Sequence, residues 1–298
     1  MITHTLNQTF ADKIVLVTGA STGLGAQAAD YLANKGFIVF AGVRDTAKVS
    51  PSPYTNMHYV ELDVTCAESI ECAVSQISSV QGARLWAVVN NAGICVPSPL
   101  EMLPVDNLRN QLETNVVGQL LVTQKVLPLL RKTQGRVINI TSGLGNLALP
   151  YLGAYSIAQF AKEAFSDALR RELHHSGIDV IVVQPGAINT PIWDKFQAVG
   201  EDIVQQAPKQ LKLIYSRSFH EFLAASPVHA QQSPTTAEDF AHVICKALTD
   251  EHPHTRYAVG EDATNFRIKA RSQEDRELDE ELSAAMPRHQ EFHDELMN

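Results

Sequence analysis

Ser142 and Tyr155 stand 13 residues apart; Ser142 closes a β-branched run and Tyr155 falls inside a helical one. A hydroxyl at a strand end can donate a hydrogen bond to an oxygen that gains charge. A phenol on a neighbouring helix can give or take a proton, with an ordinary pKa of about 10. A second group of residues suits a phosphate-bearing ligand. Thr18-Gly19-Ala20-Ser21-Thr22-Gly23-Leu24-Gly25 follows a short apolar run and opens a helical pattern. Glycines let the backbone approach a pyrophosphate, and a helix N-terminus offers free N–H groups. Two further clusters, Asn90-Asn91-Ala92-Gly93 and Pro185-Gly186-Ala187-Ile188-Asn189-Thr190, also follow apolar runs.

These residues need a scaffold that brings strand ends together. Short apolar runs at 13–17, 37–41, 58–62, 85–89, 136–140 and 179–183 read as strands, and 256–259 as a seventh. Helical patterns lie between them, at 26–34, 67–79, 106–132, 153–174 and 237–248, with Asp106 expected as an N-cap and Gly177 as a stop. This alternation predicts an α/β fold with a doubly wound, Rossmann-type parallel sheet of about seven strands. Ligands of such sheets bind beyond the C-terminal strand ends, where most of the polar motifs fall. The stretch 192–234 is long for a connection and is expected to be a helical lid. Within it Leu211, Ile214, Tyr215, Ser218 and Phe222 share one helical face. Ile192, Trp193, Phe196, Leu211, Ile214, Tyr215, Phe219 and Phe222 are expected to give a mainly apolar substrate wall.

The motifs together resemble the short-chain dehydrogenase/reductase family over about residues 12–260, with a flavour of the branch acting on retinoids, steroids and other lipophilic alcohols. Thr18-Gly19-x-x-x-Gly23-x-Gly25 matches the family's glycine segment. Asn90-Asn91-Ala92-Gly93, Asn115, the Ser142–Tyr155 pair and Pro185-Gly186-x-x-x-Thr190 follow in order. The resemblance implies an NAD(P)-dependent oxidoreductase passing hydride between a nicotinamide and an alcohol or carbonyl carbon. It makes Tyr155 the acid/base, Ser142 the oxyanion donor and Asn115 the holder of a water in the proton path. It places the cofactor against Gly19, Ser21, Thr22, Gly23, Leu24, Gly25, Asn91, Ala92, Gly93, Tyr155, residue 159, Pro185, Gly186, Ile188 and Thr190. Asp63 and Val64 match its adenine-binding pair, and its long helices imply a homodimer or homotetramer.

One position departs from the pattern. The family has Tyr-x-x-x-Lys, whereas this chain reads Tyr155-Ser156-Ile157-Ala158-Gln159. An amide keeps hydrogen bonds for a ribose but supplies no positive charge. Without a cation the phenolate is scarce at neutral pH, so the expectation is an enzyme biased to carbonyl reduction. Lys162, seven residues after Tyr155, does not restore the register. The alternatives are a non-catalytic NADP(H)-binding pseudoenzyme or sensor, or an engineered Lys-to-Gln form of an active parent. After the second strand the chain reads Val43-Arg44-Asp45. Arg44 suits a 2′-phosphate, so NADP is expected over NAD, with Asp45 as the counterweight.

Composition narrows the partners. Among 298 residues the formal charge is −9, apolar residues make up 45% and charged ones 19%. That is a folding composition without the basic clusters a nucleic acid needs. No apolar run reaches a membrane span and no signal core opens the chain, so a cytoplasmic protein acting on a small lipophilic alcohol or carbonyl is expected. Four cysteines lack a Cys-x-x-Cys pair and are expected as reduced thiols packed as small hydrophobes. His289 and His293 miss the metalloprotease pattern, and no metal is expected. Residues 1–260 are expected as one domain. Residues 261–298, with 11 acidic and 5 basic side chains, form an acidic helical extension in which Leu278, Leu282 and Met286 recur every fourth residue.

Overall fold

Strands buried on both faces carry continuous apolar runs, because helices cover each side of the sheet. The computed structural model describes residues 10–284. Its strands are β1 (Lys13–Thr18), β2 (Ile38–Val43), β3 (Met57–Glu61), β4 (Arg84–Asn90), β5 (Arg136–Ile140), β6 (Asp179–Pro185) and β7 (Arg256–Val259). All pair in parallel, in the order β3-β2-β1-β4-β5-β6-β7. The order reverses between β1 and β4, which sets the ligand crevice above those two strands.

The helices are α1 (Gly23–Asn34), α2 (Ala67–Ser78), α3 (Val105–Leu112), α4 (Gly118–Thr133) and α5 (Gly153–Glu172), then α6 (Ile192–Gln206), α7 (Lys209–Gln232), α8 (Ala237–Thr249), α9 (Glu261–Ser272) and α10 (Asp275–Ala284). Alternation along β1 divides the core into two layers. Val15 and Val17 pack with Ala28 and Leu32 of α1 and with Phe240 and Ile244 of α8. Ile14 and Leu16 face Ile70 of α2, Val122 and Val126 of α4 and Leu169 of α5. A third cluster joins α6 and α7 to the segment after β4 through Phe196, Phe219, Leu223, Val96 and Tyr151.

Several boundaries differ from the sequence reading. Asp106 is not an N-cap: Pro104 precedes α3, and Asp106 pairs with Arg109 at 2.7 Å within the first turn. The long helix expected over 106–132 is interrupted by a π-helical segment, Glu113–Val117, centred on Asn115. The stretch 192–234 forms two helices. None of the four free cysteines is fully buried, and Cys72 is exposed, so packing as small hydrophobes does not describe it. Residues 261–284 form α9 and α10; Leu278 and Leu282 are half-buried, while Met286, His289 and His293 lie outside the described residues. Among the described residues no helix is long and apolar enough to cross a membrane, and no group of three metal-ligating side chains gathers.

Candidate active site

Every strand from β1 to β6 delivers part of the site at its C-terminal end. After β1, Gly19 takes φ +66°, and a methyl there would come within 2.8 Å of the Ala92 Cα. Only glycine combines that turn with so close an approach. The loop is held from the β4 side. The Asn91 amide donates to the carbonyls of Thr18 (2.9 Å) and Gly19 (3.2 Å), and the N–H groups of Asn91 and Ala92 donate to the Thr18 hydroxyl at 3.0 Å each. The Asn91 side chain is therefore spent on the loop, and Ser21 and Thr22 stand exposed at its tip. Thr22 precedes α1 without capping it, and no acidic residue occupies the first turn. That end keeps free N–H groups and a positive dipole for an anion.

At the end of β2, Val43 is buried and Arg44 is exposed. Asp45 turns away from a ligand role. Its carboxylate accepts from Ala47 N at 3.0 Å and pairs with Lys48 at 3.1 Å. After β3, Asp63 accepts from the N–H and hydroxyl of Thr65 at 2.9 and 2.7 Å, while Val64 is buried beneath Gly118. After β5, Ser142 donates weakly to the carbonyl of Pro185, the last residue of β6, at 3.5 Å. Thr190 lies beside Gly23, so the 185–190 segment closes on the glycine loop.

Ser142 starts a short 3-10 turn and accepts from Leu144 N at 3.2 Å. Tyr155 of α5 meets it. Burial pushes the Tyr155 phenol above its usual pKa, the Cys95 thiol nearby pushes the same way, and the hydrogen bond with Ser142 pulls back. Gln159, one turn on, is buried, and its Oε1 has no partner in the protein. A buried orphan acceptor beside the proton-transfer residues fits a hydroxyl-bearing group. Asn115 is not aimed at the reacting pair: its amide donates to Ile94 O at 3.0 Å and its oxygen accepts from Ile94 N at 2.9 Å.

Below the pair lies a polar floor that motif reading does not find. Lys162 is buried and donates to the Ile140 carbonyl, two residues before Ser142. Burial lowers its pKa to about 8 against an upward pull from Glu163. Glu163 accepts from the Thr141 hydroxyl (2.6 Å) and from Gln184 (2.9 Å), and pairs with Arg256 of β7 at 3.0 Å. Arg256 also pairs with Asp167 at 2.6 Å. The one available signal was charge on the inward face of a helix, at 162 and 163. Above the site, Tyr151 takes the left-handed φ +64°, which is costly for a large residue. Its hydroxyl is bonded to Ser218 at 2.9 Å, and its ring meets Phe219 and Phe222 edge-on. Phe219 is wholly enclosed between the α6–α7 pair and its base, so it is core and not a substrate wall.

The arrangement can bind a phosphate-bearing dinucleotide along the strand ends and exchange a proton at Tyr155 beside a hydroxyl donor. Comparison with known proteins fixes the class. The short chain dehydrogenase family model matches residues 13–199, and the chain belongs to that family. It is 53% identical over 281 residues to the 3-amino-tetrahydro-pyrrolizinone reductase of Xenorhabdus hominickii, covering 94% of this chain and 98% of the relative. It is 36% identical over 269 residues to 17-beta-hydroxysteroid dehydrogenase type 6 of Bos taurus, covering 86% and 83%. A short chain dehydrogenase from Burkholderia cenocepacia J2315 in complex with NADP superposes with a TM-score of 0.70 at 25% identity, covering 90% and 96%. The chain is thus an oxidoreductase with a single Rossmann-type domain.

Proposed function

We propose that the protein uses NADPH to reduce the carbonyl group of a small, largely apolar substrate. The observation that carries this is the setting of Tyr155: a phenol enclosed beside Ser142, with an uncharged Gln159 one turn on. Burial holds the phenol above its usual pKa and no cation stands at position 159, so the acid form needed for reduction prevails at neutral pH. The name of the 53% identical relative, a reductase, agrees with that direction.

A reduced nicotinamide held along these strand ends would supply the hydride for the carbonyl carbon. Tyr155 gives its phenolic proton to the carbonyl oxygen and is reprotonated from solvent. Ser142 swings its hydroxyl from Pro185 to that oxygen and stabilises the charge gathering there. Gln159 takes a ribose hydroxyl on its orphan Oε1. The amides at the start of α1 and the Gly19–Gly25 loop hold the pyrophosphate, with Asn91 bracing the loop. Asn115 acts chiefly by its π-helical turn, which fixes Ile94 at the rim. Asp63 and Val64 shape the adenine end. Arg44, exposed and free of ion pairs among the described residues, takes the 2′-phosphate, since Asp45 is committed to Lys48. The α6–α7 pair, with Trp193 and Phe222 at its edge, serves as the lid and favours an apolar substrate.

Following NADPH and NADH oxidation with cyclic ketones, for the natural chain, Tyr155→Phe and Gln159→Lys, tests the proposal. Turnover with NADPH that Tyr155→Phe abolishes is the expected result. Turnover confined to Gln159→Lys makes the natural chain a cofactor-binding protein instead.

A further inference from the structure

The first turn of α9 is wedged between two parts of the site. The Asp262 carboxylate accepts from Ala187 N at 2.6 Å through Oδ2 and from Ala263 N at 2.8 Å through Oδ1. It lies so close over Gly186 that any side chain there would collide with it. On the other flank, a methyl on Gly143 would come to 3.0 Å from the Ala263 Cα and from a ring carbon of Phe266. Gly143 directly follows Ser142. The same turn therefore seats on the serine turn and on the Pro185–Thr190 segment.

That segment is pinned at three successive residues. Gly186 N donates to Val259 O at 2.9 Å, Ala187 N donates to Asp262, and Ile188 O accepts from the Trp193 indole at 2.9 Å. The two outer pins come from the sheet and the lid. The central one is the only side-chain carboxylate among them. It accepts from two N–H groups, one on the segment and one on its own helix.

We infer that Asp262 is a positioning residue for the 185–190 segment, and that through it the first turn of α9 supports the cofactor site. This rests on the reading of that segment as cofactor-binding. Asp262 fixes the Ala187 amide, and with it the backbone path that presents Ile188 and Thr190. Neither near relative of aspartate replaces it fully. Asparagine has one acceptor oxygen where two N–H groups need one each, and glutamate is longer than the space over Gly186 allows.

The experiment is fluorescence titration of NADPH, with thermal melting, on the full chain and on Asp262→Ala, Asp262→Asn and Phe266→Ala. Asp262→Ala is expected to weaken NADPH binding about tenfold or more, because the Ala187 N–H loses its partner. Asp262→Asn falls between it and the natural chain. Phe266→Ala, which loosens the same helix through packing alone, keeps affinity within about twofold of the natural chain even where its melting temperature drops as far. Unchanged affinity in Asp262→Ala overturns the inference. So does a parallel loss in Asp262→Ala and Phe266→Ala that follows melting temperature, which would make α9 a structural prop. A natural chain that binds neither NADPH nor NADH overturns the cofactor reading itself.

Discussion

Tyr155 and Gln159 make the sharpest prediction at the scale of single residues. Alcohol oxidation needs Tyr155 as phenolate, and its pKa is raised, so the oxidation rate should climb about tenfold per pH unit between pH 7 and 9. Reduction should stay nearly flat over that range. Gln159→Lys should raise oxidation at pH 7 by roughly 10- to 10³-fold while changing reduction far less; parallel changes in both directions would refute the assignment. Lys162 gives a stability prediction. Burial depresses its folded pKa to about 8 from 10.5, so between those values the unfolded chain binds more protons and stability rises with pH. Below pH 8 the cost of the buried charge is fully present, about 3 kcal/mol from that gap. Lys162→Met should therefore melt higher than the natural chain at pH 7, and the difference should shrink by pH 10. For Arg44→Ala, KM for NADPH should rise about tenfold with KM for NADH unmoved.

At the scale of elements, the sheet was legible because its inner strands are buried on both faces and so carry apolar runs. Val15-Leu16-Val17 and Val137-Ile138 need no long-range knowledge to be read. The glycine loop and the Ser142–Tyr155 pair were legible because their geometry is local to a strand end or one helix face. What stayed hidden is set by partners far apart in the chain. Asp45 offered a carboxylate to a ribose on paper, and only the fold turns it onto Ala47 and Lys48. Lys162 and Glu163 acquire their partners only from β5, β6 and β7, which lie far from them in the chain or on other elements. The break at Asn115 was invisible to periodicity, because a π-turn inserts one residue without changing the amphipathic pattern on either side. Asp262 reaches Ala187 across 75 positions, and no local pattern marks it.

The whole molecule leaves apolar side chains on the outer faces of its two long central helices. Val117 (38% exposed) and Leu120 (40%) flank the start of α4, and Ile157 and Phe160 (44% each) stand out from α5. We propose that these faces pair in a homodimer or homotetramer, since clustered apolar exposure of this kind marks an interface. Sedimentation of Phe160→Glu should then show a smaller species than the natural chain; identical profiles would place the interface elsewhere.

The charged floor under Ser142 has a consequence for how the chain is born. Glu163 and Asp167 find their shared cation only in Arg256, and the buried Arg136 guanidinium donates to the carbonyls of Ala247 (2.6 Å) and Asp250 (2.5 Å). Translation runs from the N-terminus at roughly 5–20 residues per second, and domains tend to fold as units. Every recognisable motif has left the ribosome well before Arg256 does. Until then β6 is an unpaired sheet edge and Glu163 awaits its arginine, while Asp167 has only Arg170 and Arg171 of its own helix. The nascent protein thus displays its whole signature several seconds before it owns a working floor. Chains stalled short of residue 256 should fail to capture nucleotide although no motif is missing from them.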